Sequence, residues 1–221
     1  MKKEILLLIL IILSSCHINK ITQEEKHAVI NKLDDLMKID QKYAGIPPGE
    51  LIEKYGNEEA WEIFKKRRDS VAIKNQQIVK EIFNSYGFIG EKNFNKSASK
   101  NFWLIVQHAD DDIQFQDEIL KVMHKELKKG NANKQSFAML EDRINVNKGK
   151  KQRFGSQLTY NKFGQAIPIN GLIDSINVES LRTEFNLPSF KNYYNEMTIM
   201  HFEMNEEYYK SEGINKPILY K

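Results

Sequence analysis

Phe102-Trp103-Leu104-Ile105-Val106-Gln107-His108-Ala109-Asp110-Asp111-Asp112-Ile113-Gln114-Phe115 combines long apolar runs with a polar core of one histidine and three successive aspartates. It sits within a helical pattern from about Ser97 to Lys129. One apolar stripe holds Phe102, Val106, Ala109, Ile113, Leu120 and Met123, and a second holds Leu104, Phe115 and Val122. At about 100° per residue these stripes fall on nearly opposite sides. A helix apolar on two sides belongs at the centre, with neighbours around it. The remaining sector carries Gln107, Asp110, Asp111, Gln114 and Asp117.

Helical patterns continue on both sides of this stretch. Upstream, Thr22-Gln23-Glu24-Glu25 reads as a capping box, a hydroxyl followed three residues on by a carboxylate. It opens a helix to about Ala44 with Val29, Leu33, Leu36 and Tyr43 on its buried side. Gly45-Ile46-Pro47-Pro48-Gly49 breaks it. A second helical region spans about Glu50 to Tyr86, interrupted at Gly56-Asn57, with Asn57 as the expected cap. Its apolar positions include Ala60, Trp61, Phe64, Val71, Ile78, Ile82 and Phe83.

Downstream, Lys134 to Asn145 carries Phe137, Leu140 and Ile144 at helical spacing. From Gln152 to Ile169 the period shortens. Phe154, Leu158 and Tyr160 alternate with polar residues, and Asn161 to Gly164 can turn, so a short hairpin is expected. Helical patterns return at Val178–Phe185 and Phe190–Tyr209. The expected class is mainly α: a single-domain helical array over 22–221 with a small β-hairpin near residues 152–169.

The N-terminus has a different character. Met1-Lys2-Lys3-Glu4 precedes an apolar run from Ile5 to Leu13, then Ser14-Ser15-Cys16. A basic start, an apolar stretch and small residues are the layout of an export signal. The run is about half the roughly 20 residues that span a bilayer as a helix. Leu13-Ser14-Ser15-Cys16 resembles the lipobox of bacterial lipoproteins. That resemblance implies a signal at 1–15, a lipidated Cys16, a tether over 16–21 and a membrane as partner through the acyl chains. Several acyl chains anchor stably where one binds only marginally. No acidic run follows in His17-Ile18-Asn19-Lys20, so a cell-envelope location facing the periplasm is expected.

Cys16 is the sole cysteine, and acylation would leave no thiol for a disulfide, a nucleophile or a metal site. The chain carries 33 Lys and Arg against 30 Asp and Glu, a net charge of +3. Loss of residues 1–15 takes Lys2, Lys3 and Glu4 and leaves a net of +2 on 206 residues. Interspersed charge of this size is not that of a nucleic-acid binder. Lys65-Lys66-Arg67-Arg68 lies in a helical pattern beside Glu62 and Asp69 and reads as a solvated face.

Three groups of residues carry candidate chemistry. His108 and Asp112, four apart, would share a helix face as metal ligands or as a base with its orienting partner. His17, His27, His124 and His201 do not repeat the spacing, so no metal site and no cofactor is expected. The plainer alternative is a buried histidine bonded to a neighbour. Asp142-Arg143 and Gln152-Arg153-Phe154-Gly155-Ser156-Gln157 form the second group. Arg143 can grip a carboxylate with a bidentate fork, and the two glutamines can donate and accept. The same residues can equally tie a hairpin onto the helices. The third group is Asp40-Gln41 with Asn75, polar residues on apolar faces that imply a buried network.

These motifs, in this order, resemble a bacterial family known only as a domain of unknown function. Its pattern has an early Asp-Gln pair, a Gln-His-Ala-Asp helix, an Asp-Arg pair and a Gln-x-Tyr-Gly-Thr-Gln segment. Here these correspond to Asp40-Gln41, Gln107-His108-Ala109-Asp110, Asp142-Arg143 and Gln152-Arg153-Phe154-Gly155-Ser156-Gln157. Asp174 and Arg182 resemble its later acidic residue and arginine. Phe154 and Ser156 depart from the usual Tyr and Thr, and Leu181-Arg182 replaces a frequent Arg-Arg pair. The resemblance implies a fold and a polar cluster, with no activity attached.

Two functions follow as expectations. One is a membrane-anchored envelope lipoprotein that binds a polar ligand or an envelope protein through Gln41, Gln107, His108, Asp110, Arg143, Gln152, Gln157 and Arg182. The other is a hydrolase or transferase, with His108 as general base and Asp110 or Asp112 orienting it. Gly155-Ser156 lacks the flanks of a nucleophile elbow. Convergence of these side chains on a pocket favours a site, whereas burial in the core favours scaffolding.

Overall fold

The computed structural model describes residues 21–221. The segment 1–15, expected to be an export signal, and Cys16 lie outside the described residues. Nine helices and two short strands follow in order among the described residues. They are α1 (Gln23–Lys42), α2 (Gly49–Tyr55), α3 (Asn57–Tyr86), α4 (Lys96–Gln107), α5 (Ile113–Lys128), α6 (Lys134–Asn147), β1 (Leu158–Tyr160), β2 (Ala166–Pro168), α7 (Val178–Glu184), α8 (Phe190–Met204) and α9 (Glu206–Ser211).

α1 begins as its sequence dictates. Thr22 N–H donates to Glu25 Oε2 at 2.8 Å and Glu25 N–H donates to Thr22 Oγ1 at 3.1 Å, the reciprocal capping box. Asn95, Asn133 and Ser189 cap α4, α6 and α8 with side-chain oxygens that accept a backbone N–H three residues on.

α4 occupies the centre and packs against α1, α3, α5 and α6. Leu33, Val79, Ile89, Phe102, Val106, Ile119 and Leu140 are fully buried around it. Two expectations change here. Asn57 does not cap α3; it is the first helical residue, and Gly56, at φ +77°, makes the whole junction with α2. Only a glycine takes that backbone cheaply, so the chain turns in one residue. Trp61, expected in the core, is 41 % exposed. Near its start α3 buries Ala60 and Phe64 and leaves the side that carries Trp61 to water.

The larger correction is at the stretch from Phe102 to Phe115. One helix from Ser97 to Lys129 was expected, but there are two. α4 ends with His108 (φ −90°, ψ 0°) as its C-cap, and Asp112 (φ −130°) opens α5 by accepting Phe115 N–H at 2.9 Å. The reason is electrostatic and local. Carboxylates at a helix C-terminus oppose the dipole, whereas at an N-terminus they complement it. Asp also competes for backbone N–H groups and favours caps over helix interiors. Gln116, fully buried, closes the joint by donating from Nε2 to Val106 O at 3.1 Å.

The hairpin forms where expected, between 158 and 168, with Leu158 opposite Pro168, Thr159 opposite Ile167 and Tyr160 opposite Ala166. Its turn passes under an aromatic lid. Gly164 has φ +74°, and a Cβ there would lie 2.6 Å from the Tyr209 ring. Ala166 N–H donates to Thr198 Oγ1 at 3.0 Å, which fastens the hairpin to α8. Phe154, Ala138 and Leu187 form a second small core, with Met139, Leu181 and Phe185 packed against it.

Candidate functional site

The break after α4 places a histidine at a helix end beside the last turn of α1. Asp40 is buried there, and both its carboxylate oxygens lie 3.1 Å from His108 Nδ1. Gln41 Nε2 also donates to Asp40, at 3.1 Å. The His108 side chain is 36 % exposed, and its Nε2 makes no hydrogen bond among the described residues. A carboxylate accepts, so the contact suits a His108 ring that donates from Nδ1 and keeps Nε2 as its second polar atom.

The same break frees Asp110 to meet α6. Arg143 Nε donates to Asp110 Oδ1 at 2.8 Å, Nη2 donates to Oδ2, and Asn147 Nδ2 donates to Oδ1 at 2.8 Å. This is the bidentate fork that suits guanidinium and carboxylate. Burial pushes the Asp110 carboxyl up, but the bonds from Arg143 and Asn147, with the guanidinium charge, outweigh it and hold the group below its ordinary value. Arg143 Nη1 donates to Gln157 Oε1 at 3.2 Å. The fork uses two of the five guanidinium N–H groups and Gln157 a third, and the other two make no hydrogen bond among the described residues.

Both pairs line one open cleft of about 560 Å³. Tyr43 and Ala44 close one side, and Arg68, Asp69, Val71 and Ala72 of α3 form another, with exposed Asp111 at the mouth. Arg68 therefore belongs to the cleft wall, although Lys65-Lys66-Arg67-Arg68 reads in the sequence as a purely solvated face.

The other candidate residues lie elsewhere. Asp112 is not a partner of His108. It caps α5 and accepts from Lys80 Nζ and from Gln76 Nε2 at 3.1 Å, and the Lys80 ammonium first, then Phe115 N–H, holds its carboxyl low. Gln107 is buried, with Nε2 on Met139 O at 3.4 Å. Asn75 donates to Leu36 O at 3.3 Å and ties α3 to α1, away from Asp40's carboxylate.

Gln152, Arg182 and Asp142 hold the loop that carries Gln157. Asp142, fully buried, accepts N–H groups from Arg153 at 2.7 Å, Phe154 at 3.1 Å and Ser156 at 2.8 Å. Burial pushes its carboxyl up against these three donors. Gln152 Nε2 donates to Gln157 O and Ile169 O, each at 2.7 Å, and its Oε1 accepts from Gln157 N–H at 2.8 Å. Arg182, 1 % exposed, donates to Pro188 O at 2.7 Å, Phe154 O at 2.8 Å and Gly155 O at 3.1 Å. Gly155 sits at φ +63° with room for no Cβ: one would lie 2.9 Å from Leu172. These groups are sealed from the cleft and act on it only through Gln157 and Arg143.

The pairing of Asp40 with His108 has no signal in the sequence. The Asp40-Gln41 pair was visible, but nothing in the sequence joins it to a residue 68 positions away. Asn147 and Gln116, which steady Asp110 and the α4 end, carried no signal of their own.

Among the described residues no group of histidines and carboxylates is arranged to hold a metal ion, and no helix is long and apolar enough to cross a membrane. The family described as Family of unknown function (DUF6624) matches residues 51–200, from α2 into α8. The match includes His108, Asp110, Arg143 and Gln157 and begins after Asp40. No curated protein and no solved structure matches the chain.

Proposed function

The chain belongs to the family of unknown function DUF6624, and we propose that it is an envelope lipoprotein, anchored through acylated Cys16, whose α1–α3–α4–α6 cleft binds a small polar ligand. The observation that carries the reading is the Asp40–His108 pair. A buried carboxylate holds an imbalance that core packing does not need: an imidazole whose second nitrogen is an open acceptor in a polar cleft. Arg143, fixed by Asp110 and Gln157, adds preorganised N–H donors. A ligand with a hydroxyl or amine donor and an adjacent acceptor meets both. A cleft of this volume lies within the range of small-molecule sites, about 300–1,000 Å³.

A second reading rests on the same atom. His108 Nε2, backed by Asp40, is placed as a general base toward water or a ligand hydroxyl. That makes a hydrolase or transferase, with Arg143 steadying developing negative charge. The openness of the cleft favours binding over water-excluded catalysis.

Two experiments test the reading. Saturation-transfer NMR with small sugars, amines, carboxylates and phosphates should detect binding to the parent protein and lose it in His108→Ala. Binding that persists in His108→Ala and Arg143→Gln would remove the cleft from consideration. For the anchor, the protein should fractionate with membranes of a bacterial host, and Cys16→Ala should release it. An unchanged membrane fraction would contradict lipidation at Cys16.

A further inference from the structure

A second cleft, of about 540 Å³, lies between α4 and α6, apart from the Asp40–His108 site. Its two walls run in the same sense. At one end Asn133 Nδ2, before α6, donates to Glu91 Oε1 at 3.5 Å; at the other, Gln107 Nε2 of α4 donates to Met139 O of α6 at 3.4 Å. The first turns of both helices therefore lie together, and their chemistry is polar: Lys96 and Lys100 on α4, Gln135 and Ser136 on α6. One to two turns on, both walls become apolar, with Trp103 and Leu104 facing Met139 over a floor of Phe88 and Met123.

Charge at the polar end is unbalanced. Lys96 and Lys100 make no ion pair among the described residues. The one carboxylate there, Glu91, is held by Asn133. Two helix N-termini add partial positive charge at the same end. At the junction of the polar and apolar ends stands Trp103, 7 % exposed, whose buried Nε1–H has no acceptor among the described residues. A buried indole N–H ordinarily finds a partner.

The geometry points to a binding site for a single-chain amphiphilic anion, with a carboxylate or phosphate head at Lys96 and Lys100 and an unbranched apolar tail along Trp103, Leu104 and Met139. From Lys96 to Leu104 the wall runs about 12 Å, at 1.5 Å per helical residue. That accommodates a medium-length chain. The basic end recognises the head by charge, and the apolar end excludes a second polar group.

Trp61 and Trp103 are the two tryptophans of the chain. In Trp61→Phe protein, emission therefore reports on Trp103 alone. Sodium decanoate, kept below micelle formation, should shift this emission saturably. Decan-1-ol, with the same tail and no charge, should bind about tenfold or more weakly, and so should decanoate to Lys96→Gln/Lys100→Gln. Decyl phosphate in parallel decides which acidic head is preferred. Equal affinity for decanol and decanoate, an unchanged affinity in the double variant, or a response to anionic phospholipid vesicles without any to decanoate would overturn the proposal. Both lysines are exposed, so loss of fold does not confound the variant.

Discussion

Asp40 and His108, 68 residues apart in sequence, meet with both carboxylate oxygens 3.1 Å from one imidazole nitrogen. The contact exists because α4 stops at His108. Had the helix continued through Asp112, the imidazole would sit within a helical wall, and the acidic residues behind it would have no route to α6. One local event, a helix end at a run of three aspartates, builds both halves of the cleft.

Asp40→Asn keeps the shape of the pair and removes its charge. The amide can still meet Nδ1, but it no longer selects the Nδ1–H tautomer. Ligand affinity in the cleft should fall about tenfold, the scale of one charge-assisted bond. The melting temperature should stay within a few degrees of the parent. Calorimetric titration with a ligand found by screening, beside a thermal melt, measures both.

Asp142→Ala should do the opposite, with little direct effect on the cleft chemistry and a large effect on stability. It strands three N–H groups, those of Phe154 and Ser156 buried and that of Arg153 partly so, and should cost about 3 kcal/mol or more in denaturant unfolding, since bonds to charged groups contribute about 1.5–3 kcal/mol each. The loop at 152–157 should lose protection from hydrogen exchange first. A loss below about 1 kcal/mol would mean that the loop is held by Gln152 and Arg182 without it.

Gly164→Ala introduces a Cβ at φ +74°, 2.6 Å from the Tyr209 ring. Left-handed backbone alone costs about 1–2 kcal/mol for a side-chain-bearing residue, and the ring must also move. A loss of about 2 kcal/mol or more is expected, with the hairpin and α9 loosened together. Urea unfolding followed by tyrosine fluorescence would register it.

The Asp110–Arg143 fork makes stability pH-dependent in acid. Asp110 is held below its ordinary value, so its contribution is fully present above the unfolded-state pKa of about 4 and is lost as pH falls through the lower folded value. Arg143→Met should flatten this part of the stability curve, leaving a smaller loss as pH falls below about 4. An identical acid slope in parent and variant would place the fork outside the stability of the fold.

Much of this fold was legible in the sequence, for identifiable reasons. The α1 capping box, the stripe of Phe102 and Val106 and the turn at Asn161–Gly164 are local patterns whose physics acts over a few residues. The split at His108 was hidden because apolar spacing on both sides of Asp110-Asp111-Asp112 fits a continuous helix, although three successive aspartates were themselves the cap signal. The site was legible in its members more than in its pairing. Arg143 as a carboxylate clamp could be anticipated from residue type. Its partner Asp110, and Asp40 for His108, depend on how α1 and α6 lie against the end of α4, which no local pattern encodes. Gln152 and Arg182 resemble ligand contacts in sequence because the donors that fix a loop are the donors that bind a ligand.

In the proposed site His108 donates from Nδ1 to the Asp40 carboxylate and offers Nε2 to the cleft as an acceptor. The most direct test is ¹⁵N NMR of the histidine side chains, at a pH where His108 is neutral, in the parent and in Asp40→Asn. The parent should show His108 as the Nδ1–H tautomer, and Asp40→Asn should shift it toward a mixture. A predominant Nε2–H tautomer in the parent would contradict the claim, because Nδ1 would then be accepting a proton from Asp40 and the cleft would hold no free base.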